Sequence, residues 1–154
     1  MKILATLFLF LISISAFSQY TEEQLEAKQT IDSFFEAFHK KDSLALKQFG
    51  YPDIVMQSIA INKDGSPKFS SENYSDFIKA IVSIPESTKF EERLLSYDVK
   101  INGPMATVIT DYSFYINGEL KHCGVNNFQL FKENEKWKIV YIIDTRTTKN
   151  CISE

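Results

Sequence analysis

Residues 105–146 read MATVITDYSFYINGELKHCGVNNFQLFKENEKWKIVYIIDTR, and the fold turns on this stretch. Met105–Ile116 is rich in β-branched and aromatic residues and runs straight into Asn117-Gly118. That dipeptide suits a two-residue type I′ turn, where both positions need positive φ. A return strand, Glu119–Phe131, leads to the polar Glu133-Asn134-Glu135-Lys136. The last strand, Trp137–Arg146, carries Trp137, Ile139, Tyr141 and Ile143 at strict alternation. Three consecutive antiparallel strands are expected, with everything upstream covering one face of their sheet.

Upstream, Thr21 followed by Gln24 forms a capping box, with Glu22 and Glu23 in the first turn. Ala27, Ile31, Phe34, Phe35 and Phe38 then make an apolar stripe at helical spacing, and the helix is expected to end near His39-Lys40-Lys41. Asp42 caps a short helix, Ser43–Phe49, with Gly50 as its stop and Tyr51-Pro52-Asp53 as a turn. Ile54–Ile61 reads as a strand closed by Asn62-Lys63-Asp64-Gly65, with a few extended residues around Pro67–Phe69. Ser70 or Ser71 is expected to cap a third helix, carrying Tyr74, Phe77, Ile78, Ile81 and Val82 and stopped before Pro85. Phe90–Ile101 reads as one strand. Helices first and a long meander after argue for an α+β domain.

The first residues stand apart. Lys2, the apolar Ile3–Ile14 and the Ala16-Phe17-Ser18 ending form a signal-peptide pattern over 1–18, so residues 19–154 are expected to form one domain, periplasmic or secreted. The apolar run is shorter than a membrane span needs, and no membrane attachment is expected after removal. Loss of Lys2 takes the formal charge from −3 to −4. Lysines and arginines are scattered without a basic stripe, which argues against nucleic acid as a partner. Cys123 and Cys151 could pair in an oxidising compartment and staple the tail to the sheet; the other reading is two free thiols. Neither a metal site nor a cofactor is expected.

The order of elements, the Tyr51-Pro52-Asp53-Ile54-Val55 entry to the first strand and the terminal Trp137-Lys138-Ile139 resemble the nuclear transport factor 2-like superfamily. Its members include ketosteroid isomerase and the SnoaL-like polyketide cyclases. The resemblance implies a cone in which a curved antiparallel sheet encloses a pocket beneath three helices packed on its concave face, often within a homodimer. Set against ketosteroid isomerase, Asn126 stands where that enzyme has a protonated acid, Phe34 where it has a tyrosine, and about Ser58 where it has the aspartate base. Two of the three catalytic groups are thus absent, and isomerase chemistry of that kind is not expected.

Counting back from the two turns pairs Ser113 with His122, Asp111 with Gly124, Asn126 with Ile143 and Phe128 with Tyr141. One face then holds Ile109, Asp111, Ser113, His122, Asn126, Phe128, Leu130, Trp137, Ile139, Tyr141 and Ile143, and it is taken as concave. The other holds Val108, Tyr112, Ile142, Asp144 and Arg146 among others, and is available for a dimer interface. One bulge would exchange these sets beyond it. The expected function is binding of a small apolar or aromatic molecule, with Phe34, Phe35, Phe38, Met56, Phe128, Tyr141 and Trp137 as walls and Asn126 fixing orientation. The alternatives are an acid–base enzyme using His122 and Asp111 on a carbonyl compound, or a dimeric interaction module. His39 is read as a solvated helix end, and Asp144-Thr145-Arg146 as an ion pair at a strand end.

Overall fold

The computed structural model describes residues 20–152. The expected signal sequence at 1–18 lies outside the described residues. Three helices, α1 (Glu22–His39), α2 (Ser43–Phe49) and α3 (Tyr74–Ser83), accompany seven strands. The strands are β1 (Gly50–Ile61), β2 (Pro67–Asn73), β3 (Phe90–Leu94), β4 (Asp98–Asn102), β5 (Met105–Ile116), β6 (Glu119–Glu133) and β7 (Lys136–Arg146). They form one unclosed sheet in the order β2-β1-β7-β6-β5-β3, with β4 also paired to β5. The fold class is the expected α+β cone. Its sheet is mixed rather than wholly antiparallel, because β1 runs parallel to β7.

Local chemistry sets most boundaries. The capping box forms at α1, where the Gln24 N–H donates to Thr21 Oγ1 and the Thr21 N–H donates to Gln24 Oε1. Asp42 caps α2 by accepting from the N–H groups of Leu44 and Ala45. The third helix departs from expectation. Ser70 and Ser71 belong to β2, and α3 starts only after Asn73, whose side chain makes no capping bond. Pairing of β2 with β1 through Val55↔Asn73 holds these residues extended against the weaker capping preference. Tyr51-Pro52-Asp53 is not a free turn either. It is an irregular segment inside β1, opposite β7, with Asp53 at φ 64°. The expected strand Phe90–Ile101 breaks into β3 and β4 on either side of Leu95-Ser96-Tyr97.

Both turns fall where expected, with Ile116↔Glu119 and Glu133↔Lys136 flanking them. The counting fails further out because each hairpin carries a bulge. Lys121 is an extra residue in β6, so Phe114, not Ser113, faces His122, and Asp111 faces Val125. Val140 is an extra residue in β7, so Ile142, not Tyr141, faces Phe128, and Asp144, not Ile143, faces Asn126. Each insertion moves the following side chains to the opposite face and bends the strand. The concave face therefore keeps His122, Asn126, Phe128, Leu130, Trp137 and Ile139. It gains Val108, Tyr112, Ile142, Asp144 and Arg146, and it loses Ile109, Asp111, Ser113, Tyr141 and Ile143.

The core lies between the stripe of α1 and this face. Ile31, Leu130, Ile139 and Ala106 have no exposed surface, and Phe34, Phe35 and Phe128 meet edge to face with centroids 5.3–5.9 Å apart. Outside the sheet, Cys123 and Cys151 are joined by a disulfide. The tail it anchors forms a bridge between Thr147 and Cys123, and Ser113 Oγ donates to the Ile152 carbonyl at 3.0 Å. Ser113 is thus buried on the outer face, not the inner one.

Candidate functional site

Beneath the helices, the sheet leaves a cavity of about 440 Å³. Six strands and two helices supply its lining. From α1 come Phe34, Phe35 and Phe38; from α3, Phe77, Ala80 and Ile81. Met56, Ser58 and Ala60 of β1 line one flank, and Phe128 and Ile142 continue the apolar wall. Helical spacing and strand alternation explain these groups, since each set occupies one face of its element. Lys68, Ser70 and Glu72 of the exposed strand β2 form the rim.

The inner end is polar. Asn126 is buried, and its Nδ2 donates to Glu92 Oε1 at 2.7 Å. Asp144, also buried, accepts from Arg146 Nε at 2.6 Å and from the Tyr112 hydroxyl at 3.2 Å. The Tyr112 hydroxyl also lies 3.0 Å from the Thr145 carbonyl. Tyr112 is held above its ordinary pKa, first by burial and then by the charges of Asp144 and Glu92. His122 stacks on Phe114 with centroids 4.8 Å apart and stands edge-on to Tyr112. Burial, then the positive Arg146, keeps His122 below its ordinary pKa, so its imidazole is biased toward the neutral form.

Glu92 is the group most affected by this setting. Burial pushes its carboxyl up to about 7, and the negative Asp144 adds to the rise. The Asn126 amide and the charge of Arg146 act in the opposite direction without cancelling it. Its backbone is fixed as well, since the Glu92 N–H donates to His39 Nε2 at 2.9 Å. His39 is therefore a half-buried acceptor rather than a solvated helix end, and desolvation lowers its pKa.

Of the residues expected at the site, Phe34, Phe35, Phe38, Met56, Phe128, Asn126 and His122 line the cavity, as does Ser58. Three do not. Tyr141 faces outward, where its hydroxyl donates to Gln57 Oε1. Trp137 is buried at the closed end, beneath the Lys132 ammonium at 5.3 Å from its ring centroid. Asp111 is exposed on the outer face, where it accepts from Ser96 Oγ at 2.6 Å, so it cannot orient His122. The two bulges account for Tyr141 and Asp111, while Trp137 belongs to the packed core cluster rather than to the cavity.

Glu92, Asp144 and Arg146 are the functional candidates that counting from the turns missed. A signal for Glu92 was available: it shares strand parity with Phe90 and Leu94, which places a carboxylate on an apolar face. Asp144 and Arg146 likewise share parity with Ile142. Arg146, expected on an outer dimerisation face, instead turns to the cavity.

No family model and no curated protein matches this chain. Solved structures do. A nuclear transport factor 2-like protein of unknown function from Shewanella baltica superposes with TM-score 0.59 at 16% identity, over 86% of this chain and 99% of that one. A superfamily protein from Salmonella enterica gives 0.62 at 19%, over 85% and 95%. This chain has the nuclear transport factor 2-like fold. The beta subunit of a candidate aromatic-ring-hydroxylating dioxygenase from Novosphingobium aromaticivorans shares it too, with TM-score 0.66 at 10% identity, over 84% and 92%. At such identities the likeness extends to the fold alone, and the site must be argued from its own residues.

Proposed function

We propose that this protein binds a small, largely apolar molecule that carries one polar end. The observation behind this reading is the two-part lining of the cavity: phenylalanine walls from α1 and α3, and a polar end where buried Asn126 meets the partly exposed Glu92. An apolar body gains from leaving water against the walls, while a few convergent polar groups set its orientation. The residues expected to contact it are Phe34, Phe35, Phe38, Met56, Phe128 and Asn126, without Tyr141 and Trp137. The proposal includes export, in line with the leader pattern at 1–18. Solvent extraction of the purified protein followed by mass spectrometry is expected to release an apolar compound. A Ser58→Phe variant, which fills the cavity, is expected to stay folded and to release none. Equal recovery from both proteins would overturn the reading.

The enzyme alternative must be recast. With Asp111 on the other side of the sheet, acid–base work on a carbonyl compound would fall to Glu92, His122 and Asp144.

A second reading concerns the outer face. Ile59 pairs with Phe69, and Gln57 with Ile143, which gathers apolar side chains there; Phe69 and Val55 are 59% and 45% exposed. We propose that this face joins two copies of the chain. Sedimentation is expected to show a dimer, and Phe69→Glu a monomer.

A further inference from the structure

The charges around the inner end of the cavity do not balance, and the imbalance indicates what the ligand carries. From β7, Asp144 and Arg146 face each other and neutralise one another at 2.6 Å. From β6, Asn126 offers a neutral amide, and His122 is biased toward its neutral form. From β5, Tyr112 keeps its proton and spends it on Asp144 and the Thr145 carbonyl. From α1, His39 directs an unprotonated nitrogen at the Glu92 backbone. Lys68 and Glu72 of β2 add one charge of each sign at the exposed, solvated rim. Glu92 alone is left with a negative charge that its surroundings compensate only in part. Phe35, Phe38, Phe77 and Phe114 stand around the same space, and aromatic faces attract cations.

We propose that the ligand's polar end is a positively charged nitrogen, an aliphatic amine on an apolar or aromatic body, and that Glu92 receives it. The assignment rests on the binding reading above and adds to it the chemical class of the ligand. Asn126 is a positioning residue here: its amide holds one carboxylate oxygen and leaves the other to the ammonium. A cation arriving beside Glu92 favours the ionised carboxylate, so binding near neutral pH expels a proton from the site. Amine affinity must therefore rise with pH through the region where Glu92 titrates. A neutral hydrogen-bond acceptor would do the reverse, because it needs the protonated carboxyl as donor.

The test uses three probes of one shape: 1-naphthylmethylamine, 1-naphthalenemethanol and 1-naphthoic acid, titrated calorimetrically into the purified protein. The amine is expected to bind tightest, to gain about tenfold in affinity between about pH 6 and pH 8, and to release a proton, read by comparing buffers of different ionisation heat. Glu92→Gln is expected to lose at least about tenfold at pH 8 and to flatten the profile, whereas His122→Gln keeps the rise. Should Glu92→Gln fail to fold, the wild-type profiles of the three probes decide. Tighter binding of the alcohol or the acid, or amine affinity that falls as pH rises, overturns the amine assignment and leaves the binding reading standing. Failure of all three probes to bind overturns both.

Discussion

At the closed end of the sheet, Leu130 lies between Ala106 and Ile139, all three without exposed surface, and Ile31 belongs to the same core cluster. Farther along the same strands, Asn126 lies between Thr110 and Asp144, and His122 lies beside Phe114; Asn126, Asp144, His122 and Phe114 border a cavity. Two halves of one sheet face thus have opposite jobs. The first is filled by apolar side chains and contributes packing; the second keeps polar groups out of water and leaves room beside them. The transition falls at Val140, the extra residue of β7 that separates the Leu130–Ile139 pair from the Gln129–Tyr141 pair. A hollow region lacks the dispersion contacts of a packed one, so something else must hold it. Here that is the tail, clamped outside the hollow half by the Cys123–Cys151 disulfide.

Substitutions can break or sharpen this contrast. The largest effect is expected at the filled end, where Leu130→Ala should cost about 4 kcal/mol, read from denaturant unfolding. Next comes the clamp. Cys151→Ser opens a loop of 28-residue separation and should cost about 3 kcal/mol, with the loss reproduced in the wild type by a reductant. The third runs the other way. The Glu92 carboxyl titrates near 7 in the folded chain, against 4.5 for a free side chain, so the native state binds more protons between those values. Stability must therefore fall as pH rises through that window. Glu92→Gln removes the penalty and should gain roughly 2 kcal/mol at about pH 8 with no gain near pH 4, measured as the difference between two stability–pH curves. The smallest effect belongs to the cavity wall. Met56→Ala deletes side-chain atoms that already border empty space and should cost under about 1 kcal/mol. A loss at Met56 equal to that at Leu130 would mean that the two halves are not different in kind.

What could be read in the amino-acid order follows the range of the forces involved. The Thr21–Gln24 box, the Asp42 cap and the Asn117-Gly118 turn are local, and all three form as expected. The apolar stripe of α1, from Ala27 to Phe38, recurs over about three turns and predicts which side chains meet the sheet. The bulges at Lys121 and Val140 have no such signature, because they answer to the curvature that the whole sheet needs to wrap the helices. The site straddles them, so counting from the turns puts Asp111 and Tyr141 on the wrong face but Asn126 and Phe128 on the right one. Gly124 hints at the crowding: a Cβ there would come within 1.8 Å of the Thr145 carbonyl oxygen. Glu92 was legible by parity alone, but only if Phe90–Ile101 is divided into the two short strands that form.

The parallel pairing of β1 with β7 has a consequence in time. The β1–β2 hairpin is made early in the chain, yet its second neighbour is the last strand to be synthesised. Until residues 136–146 emerge, one flank of β1 offers unpaired backbone amides and carbonyls, and the walls it shares with α1 face solvent. Assembly of the interior must wait for an encounter between residues such as Val55 and Tyr141, 86 positions apart, a step slow in loop closure and open meanwhile to wrong partners. A chain stopped short of β7 would accordingly be prey for chaperones and proteases rather than a smaller version of the same protein.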